Sequence, residues 1–462
     1  MYSLLTFSTA LAEIRFGYGL SPRTAAPVSV ADMLARLSGP DLNARAFPIP
    51  DLKAAGALSA ERRRLLRAQK AQAGQAGYEA ATAAVNAQLK QMNQTRRRWA
   101  GQVMLRRIAG QDGFRERLVA FWGDHFTALG KNQALRHWAT PYVQTDLRPL
   151  VTGRFADLLT AAVMHPLMLH YLDQSRSVGP DSPAAQQLGL GLNENLAREV
   201  LELHTLGVDG PYAQQDVRQL AALFTGLGFR VKGRRVFQPN RAQPGAEVVL
   251  GQSYGPEPGL APIRAALEDL ARHPATARHL ARKLAVHFIS DTPPEPLITA
   301  LETAYLDHDT ALFPVYEALL QHPDAWGAQL RNVKPPLDFI TSALRALDVG
   351  AADLSRLGDK GLRQLFDLPL RALGQTWERP DGPDGWPEED TAWLTPPGLA
   401  IRLRWAMAAP VRLIDQLPDP SSFADTALGP FVEGRLRFAA AAAETRKDGI
   451  GLVLMSPAFN RR

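Results

Sequence analysis

Apolar residues recur along most of the chain with the three-to-four-residue spacing of amphipathic helices. Residues 1–38 read as two short helices, the second beginning after Ser29, a residue type favoured at helix N-termini. The helical segments predicted by the pattern are 30–37, a series from 112 to 228, a series from about 259 to 375, and 398–407, 421–428 and 430–445. The pattern therefore predicts an all-α fold, or one that is nearly so.

One segment, residues 229–254, breaks this periodicity. Phe229-Arg230-Val231 and Arg235-Val236-Phe237 are short stretches typical of β-strands, and Lys232-Gly233-Arg234 lies between them. We expect a small β-hairpin insertion or an irregular lid here. Residues 174–191 and 378–397 are rich in Gly, Pro and polar residues, which predicts loops.

Residues 59–110 differ from the rest in composition, being rich in Ala, Gln and Arg and free of Pro. They predict one or two long, partly exposed helices. We therefore divide the chain into N-terminal helices and a loop (1–58), a long helical arm (59–110) and a main helical domain (111–462) that contains the β insertion at 229–254. His-Pro recurs at 165–166, 273–274 and 322–323, where one helix is predicted to end and the next to begin.

Composition excludes several kinds of chemistry. The chain has no cysteine, so disulfides, thiolate catalysis and Cys-held metal clusters are excluded. A net charge of +6 over 462 residues is a mild excess. The two arginine runs, 62–64 and 96–98, are typical of the solvated face of a long helix, so nucleic-acid binding is disfavoured. No apolar stretch approaches the about 20 residues of a membrane-spanning helix.

The segment 192–206 concentrates polar chemistry. On a helix, its residues Asn195, Arg198, Glu199 and Glu202 share one arc with Glu194, and His204 lies on the opposite, apolar arc. One interpretation is a surface helix with Arg–Glu pairs at i,i+4. The alternative is that this arc lines a pocket, where Glu199 and Glu202 would divide acid and base roles or share a cation.

His125 resembles His204 in its setting. It shares an apolar helix face with Phe121 and Trp122, so both histidines are expected to point inward. A buried histidine is usually satisfied by the backbone or a carboxylate, and less often by a metal or haem iron. The helix from 279 to 287 carries His279, Lys283 and His287 on one face, which we interpret as solvated and basic. The sequence contains no P-loop, no G-x-G-x-x-G and no H-E-x-x-H motif.

Several of these segments together resemble a bacterial family known as domain of unknown function 1800. The similarity is carried by residues 15–17, 121–126, 165–173, 193–210 and 281–294, and so extends over nearly the whole chain. The resemblance implies a mainly helical protein but no established reaction, and many members look exported. This chain lacks a basic segment before its first apolar residues, so we expect a cytoplasmic protein. The resemblance adds weight to the pocket interpretation of 193–204.

Two main functional hypotheses follow. In the first, a metal ion or haem is bound by His125, Glu199, Glu202 and His204 and the protein oxidises a small molecule or peptide. Glu199, Glu202 and Arg198 would then be catalytic, and Asn195 would help His204 and His125 to hold the cofactor. In the second, the protein is a non-catalytic helical partner protein that binds another protein through the 59–110 arm.

Overall fold

The N-terminal helices begin at side-chain caps. The computed structural model describes residues 6–230 and 234–462. Its first helices are Thr9–Ile14, Val30–Ser38 and Leu42–Ala46. Ser29 Oγ accepts a hydrogen bond from the Asp32 N–H at 3.1 Å, which confirms the start predicted for the second helix.

Residues 52–109 form a helical hairpin. Its two helices are Leu52–Ala71 and Tyr78–Ala109. The second half of the longer helix is buried through Trp99 and Val103, whereas the tip exposes Leu66 and Tyr78. Arg97, near the middle of that helix, forms an ion pair with Asp359. The predicted long helices in 59–110 are therefore present, and their base packs on the main body.

The middle of the chain is a series of short helical segments with two π-helical turns. The α-helices are Gly113–His125, Ala139–Pro141, Phe155–Val163, Pro166–Tyr171, Ala185–Leu188, Asn195–Glu199 and Gln214–Leu223. The π-helices are Tyr142–Leu147 and Val200–His204, and the 3₁₀ turns are Arg136–Trp138, Arg148–Leu150 and Gln174–Arg176. The predicted helix 192–206 therefore widens to a π-helix after Glu199, and π-turns are frequent at functional sites.

The β insertion consists of two separate hairpins. Leu227–Arg230 pairs antiparallel with Arg234–Phe237, and Glu247–Val249 with Gln252–Tyr254. Val231 of the first predicted strand and residues 232–233 of the predicted turn lie outside the described residues. A 3₁₀ turn, Pro239–Arg241, separates the hairpins. The mainly α-helical fold class with a small β insertion is confirmed.

The second half returns to helices. They are Leu260–Arg272, Pro274–Phe288, Glu295–Asp307, Leu312–Gln321, Pro336–Ala346, Ala351–Arg356, Gly358–Leu362, Leu368–Ala372, Asp390–Trp393, Pro396–Leu413, Pro420–Leu428, Gly434–Ala441, Arg446–Met455 and Pro457–Asn460. A π-helix, Arg363–Asp367, and the 3₁₀ turns Pro323–Trp326 and Gly429–Phe431 complete the series. Within residues 6–230 and 234–462, none of the helices combines the length and the apolar character that a membrane span requires.

The three His-Pro pairs are helix joints, as predicted. In each, the histidine Nδ1 accepts the backbone N–H two residues later, and the proline takes the first helical position. The distances are 3.0 Å for His165, 3.0 Å for His273 and 3.3 Å for His322. These histidines therefore cap the helix that follows them.

Two hydrophobic clusters form the core. The larger one extends from Leu11 to Trp326 along the chain, and the smaller one packs residues 339–459 around the end of the long hairpin helix. Trp377 contacts both clusters. The chain end returns to their junction, because the Arg462 N–H donates to Asn332 O at 2.8 Å. This junction is where the candidate site lies.

Candidate functional site

The helix Gly113–His125 ends at the centre of the protein. Its apolar face carries Phe121, Trp122 and His125 into the core, as the spacing predicts. Asp124, on the other side of the helix, is covered by the loop that follows residue 376. The Trp386 N–H donates to both of its carboxylate oxygens, at 3.0 and 3.1 Å. The helix end therefore presents a buried imidazole on one side and a half-buried carboxyl on the other.

The structure brings His125 and His204 together. Their ring centroids are 5.9 Å apart, and His125 Nε2 donates to the carbonyl oxygen of His204 at 3.2 Å. The His204 ring packs against Phe126 and is 1% exposed, and neither of its nitrogens has a hydrogen-bond partner among the described residues. The prediction that both histidines point inward is confirmed.

A third imidazole and a lysine join this pair. His279 Nε2 donates to Leu203 O at 3.2 Å, and its ring centroid is 6.4 Å from that of His125. Burial first, and then the charge of Lys283, lowers the pKa of His204 to about 3 and that of His279 to about 4. The interpretation of the 279–287 face as solvated is wrong, because His287 is buried and His279 and Lys283 are half-buried against the site.

The polar arc of 194–202 is half-exposed. Arg198 pairs with Glu194 at 3.1 Å and with Glu202 at 3.2 Å, which are the predicted i,i+4 pairs, and Asn195 is exposed. Glu199 is different, since burial, followed by the nearby carboxylates of Glu202 and Asp384, raises its pKa to about 7. The arc therefore combines a surface ion-pair network with one carboxyl turned toward the loop after 376.

The four residues predicted to bind a metal, His125, Glu199, Glu202 and His204, do not come together as a metal-binding cluster. Across the described ranges, no group of three or more His, Asp or Glu side chains is arranged to hold a metal ion. His125 and His204 lie next to each other in the core. Glu199 and Glu202 lie instead on the half-exposed face of the helix that ends at His204. The catalytic and cofactor roles assigned to these residues stay predictions.

On the Asp124 side of the helix end, a cavity of about 170 Å³ lies between the two hydrophobic clusters. Its walls include apolar residues such as Val103, Phe121 and Leu370. The ionisable residues that line it come from distant parts of the chain. They are Tyr18, Arg107, Arg117, Asp124, Tyr142, His287, Asp338, Glu378, Glu388 and Arg462. Such a density of buried ionisable groups around one cavity is typical of a functional site.

One wall of the cavity carries an acid and a histidine–carboxylate pair. Burial, followed by the charge of Glu388, raises the pKa of Asp124 to about 8. His287 Nδ1 lies 2.8 Å from Glu388 Oε1. Although burial would raise the pKa of Glu388, the adjacent His287 and Lys283 lower it. Near neutral pH this wall therefore holds a mostly protonated Asp124 beside an ionised Glu388.

Glu378 is a second half-buried acid at the cavity. Its Oε1 accepts a hydrogen bond from Thr140 Oγ1 at 2.6 Å, and burial raises its pKa to about 7. Its backbone has φ = 49°, in the left-handed region that costs a residue with a side chain about 1–2 kcal/mol. This strained position places at the cavity wall a carboxyl that is about half protonated near pH 7.

Sequence reasoning missed these cavity residues. Asp124 lies in the same 121–126 segment as His125, but on a helix projection it falls on the polar side and looks solvated. Glu378 and Glu388 lie in a segment without periodicity, where spacing carries no information. The density of Trp, Asp and Glu in 377–390 is the signal that was available.

Residues 251–255 also match the G-x-S-x-G pattern of hydrolase nucleophiles. In such enzymes the serine sits on a sharp turn from a strand into a helix. Here Gln252–Tyr254 is a strand of the second hairpin and Ser253 is exposed. The pattern therefore does not mark a nucleophile.

A comparison with known protein families identifies the family of this chain. The model of the family described as "Protein of unknown function (DUF1800)" matches residues 12–461, nearly the whole chain. The chain belongs to this family. No curated protein and no solved structure matches this DUF1800 protein. The match spans both hydrophobic clusters and the cavity between them, so the candidate site lies wholly within the family domain apart from the last residue, Arg462.

Proposed function

We propose that this DUF1800 protein is an enzyme that performs general acid–base chemistry on a small molecule bound in the 170 Å³ cavity. The observation that carries the proposal is the placement of Asp124 and the His287–Glu388 pair on one wall of that cavity. A proton donor and a histidine oriented by a carboxylate are the two groups that such chemistry needs.

The hydrogen bond assigns roles to the pair. An ionised carboxylate only accepts, so His287 Nδ1 carries the proton that is donated to Glu388, and Nε2 is the ring atom left to exchange a proton. In the described structure, Nε2 has no hydrogen-bond partner. His287 therefore acts as the base that takes a proton from the substrate or from a bound water. Asp124, with a pKa of about 8, returns a proton to the substrate. Glu388 is a positioning residue.

The oxidative hypothesis stays a separate prediction. A metal ion or haem at His125, His204, Glu199 and Glu202, with Arg198 and Asn195 beside it, would lie on the other side of the helix end that carries Asp124. Metal analysis and an absorption spectrum of the purified protein test it. A stoichiometric metal or a haem band that disappears in His204→Ala would support it, and a protein that stays empty after reconstitution would reject it.

The acid–base proposal is tested by turnover of a small-molecule library followed by mass spectrometry. For any compound that is converted, we expect Asp124→Asn and His287→Gln each to lower kcat by about 10²–10⁴-fold. Asp307→Asn and His308→Gln are matched controls, because both residues are exposed on the surface. Conversion that survives both cavity variants at the full rate would overturn the proposal.

The partner-protein alternative has one observation in its favour. At the tip of the hairpin, Leu66 is 41% exposed and Tyr78 is 43% exposed. If the arm binds a protein, the double variant Leu66→Ser/Tyr78→Ser should lose the complex in a pull-down without a change in Tm. An unchanged complex would reject the tip as the interface.

A further inference from the structure

The positive charges of the cavity are not all matched by carboxylates. Asp338 Oδ2 accepts from both Arg117 Nη1 and Arg462 Nη1, at 2.8 Å each. One carboxylate therefore serves two guanidinium groups. Glu388 is engaged by His287, as described above. These pairings leave no ionised carboxylate bonded to the third arginine of the wall, Arg107.

Arg107 is buried without a carboxylate partner. It is 7% exposed, its Nε is buried without a hydrogen-bond partner, and no ion pair of its guanidinium is found in the described ranges. Its closest described interaction is with the ring of Tyr18, whose centroid is 5.2 Å from Cζ. Burial raises the pKa of Glu378 and the nearby charge of Arg107 opposes that rise, but the Glu378 carboxyl is hydrogen-bonded to Thr140 and not to Arg107. Burying an unpaired guanidinium is costly, and a fold that needs it only for packing would use an apolar residue.

The remaining walls define what accompanies the charge. Phe121, Trp377 and Trp386 give the cavity an aromatic lining. A cavity of about 150 Å³ is known to hold one benzene ring, so 170 Å³ suits a molecule of about that size. The planar fork of a guanidinium matches a carboxylate in a bidentate arrangement.

We propose that the cavity binds a small carboxylic acid, with the carboxylate on Arg107 and an apolar or aromatic body against Phe121, Trp377 and Trp386. This inference names the substrate class of the proposed acid–base site and rests on that proposal for the use of the site, but not for binding. Arg107 is thus the group that selects the ligand, while Asp124 and His287 act on it.

Calorimetric titration with benzoate, benzamide and phenylphosphonate tests the inference on the full chain. We expect benzoate to bind the wild type at least tenfold more tightly than either benzamide, which has the same shape without the charge, or phenylphosphonate. Arg107→Gln should weaken benzoate binding at least tenfold. Arg107→Lys keeps the charge without the planar fork, so its affinity for benzoate should lie between those of the wild type and Arg107→Gln. Arg98→Gln, at an exposed position of the same helix, should bind as the wild type does.

Several outcomes would overturn the inference. They are equal affinity of the wild type for benzoate and benzamide, tighter binding of phenylphosphonate than of benzoate, no benzoate binding at millimolar concentration, and unchanged binding by a folded Arg107→Gln variant. Circular dichroism checks the folding of each variant. Asp124→Asn separates the two proposals: retained benzoate binding with undiminished turnover rejects only the acid–base role. Lost turnover without carboxylate selectivity rejects only the substrate class.

Discussion

The Trp386 N–H donates to both carboxylate oxygens of Asp124, at 3.0 and 3.1 Å, although 262 positions separate the two residues in the chain. This contact fixes the loop of residues 376–390 over the end of the helix Gly113–His125. The same loop supplies Glu378 and Glu388 to the cavity. One backbone contact therefore holds the acid Asp124 in place and positions the loop that brings Glu378 and Glu388 to the cavity.

Gly385 allows this contact, and its replacement by alanine should break it. An added Cβ would lie 2.6 Å from Asp124 Oδ2, and φ at this position is 84°. We expect Gly385→Ala to lower the free energy of unfolding by about 1–2 kcal/mol for the left-handed backbone and by about 1–3 kcal/mol more for the clash. Urea unfolding measures the total, and hydrogen exchange should show faster opening of 376–390.

Gly374→Ala is the matched control for this variant. Gly374 has a similar φ of 87°, but an added Cβ would meet nothing within 4 Å. It should therefore show only the backbone cost. Equal destabilisation by the two alanine variants would mean that Gly385 does not lie close to Asp124 in solution. The contact between the loop and Asp124 would then not hold the site together.

Asp124 should also make stability depend on pH. Its pKa is about 8 in the folded protein and about 4 in an unfolded chain, so between these values the folded state holds one more proton. Stability is then fully present below pH 4 and is lost as the pH rises toward 8. Asp124→Asn keeps an oxygen for the Trp386 N–H but removes the titration. The free energy of unfolding of the variant, minus that of the wild type, should therefore increase by about 1.4 kcal/mol for each pH unit between pH 5 and 7.

Urea unfolding at pH 5, 6 and 7 gives this difference directly. Glu199, Glu378 and the buried histidines titrate in the same range, but they are present in both proteins and largely cancel. Asp307→Asn, at an exposed position, should run parallel to the wild type. Parallel curves for Asp124→Asn and the wild type would show that the carboxyl is already ionised at pH 5, which would remove it as the proton donor.

The sequence predicted the parts of this fold that local chemistry determines. The Ser29 cap and the His-Pro joints depend on residues within a few positions of each other, and the two small hairpins on a local loss of helical period. The meeting of His125 and His204 was also predictable, because apolar helix faces converge on a common core. The change from α- to π-helix at Val200 was not, since the apolar spacing of 192–206 fits a regular α-helix.

The cavity was beyond prediction for a related reason. Arg107, Asp124, His287, Glu388 and Arg462 come from five segments, and no spacing along the chain relates them. A carboxylate on the polar side of a helix looks solvated until a distant loop covers it. Such a site becomes visible only when the two hydrophobic clusters and the loop between them are placed in space.

Replacing His204 tests whether this buried imidazole serves function or stability. Its two ring nitrogens are buried without described partners, and leaving such atoms unpaired costs about 1–3 kcal/mol. We therefore expect His204→Leu, of similar volume, to match or exceed the wild-type stability at pH 7. The pKa of His204 is about 3 when folded and about 6.5 when unfolded, so the wild type loses stability as the pH falls from 6.5 toward 3 and the variant loses less.

His137→Leu provides the contrast, because this buried histidine donates from Nε2 to Ala55 O at 2.8 Å and should lose about 1 kcal/mol or more. Urea unfolding at pH 5 and 7 compares the two variants. A stable His204→Leu protein that has lost a bound metal, haem or its catalytic activity would show that the fold keeps this imidazole for function, since its packing alone favours an apolar residue. A loss of more than about 2 kcal/mol at pH 7 would instead show that the ring nitrogens of His204 have partners that hold the structure together.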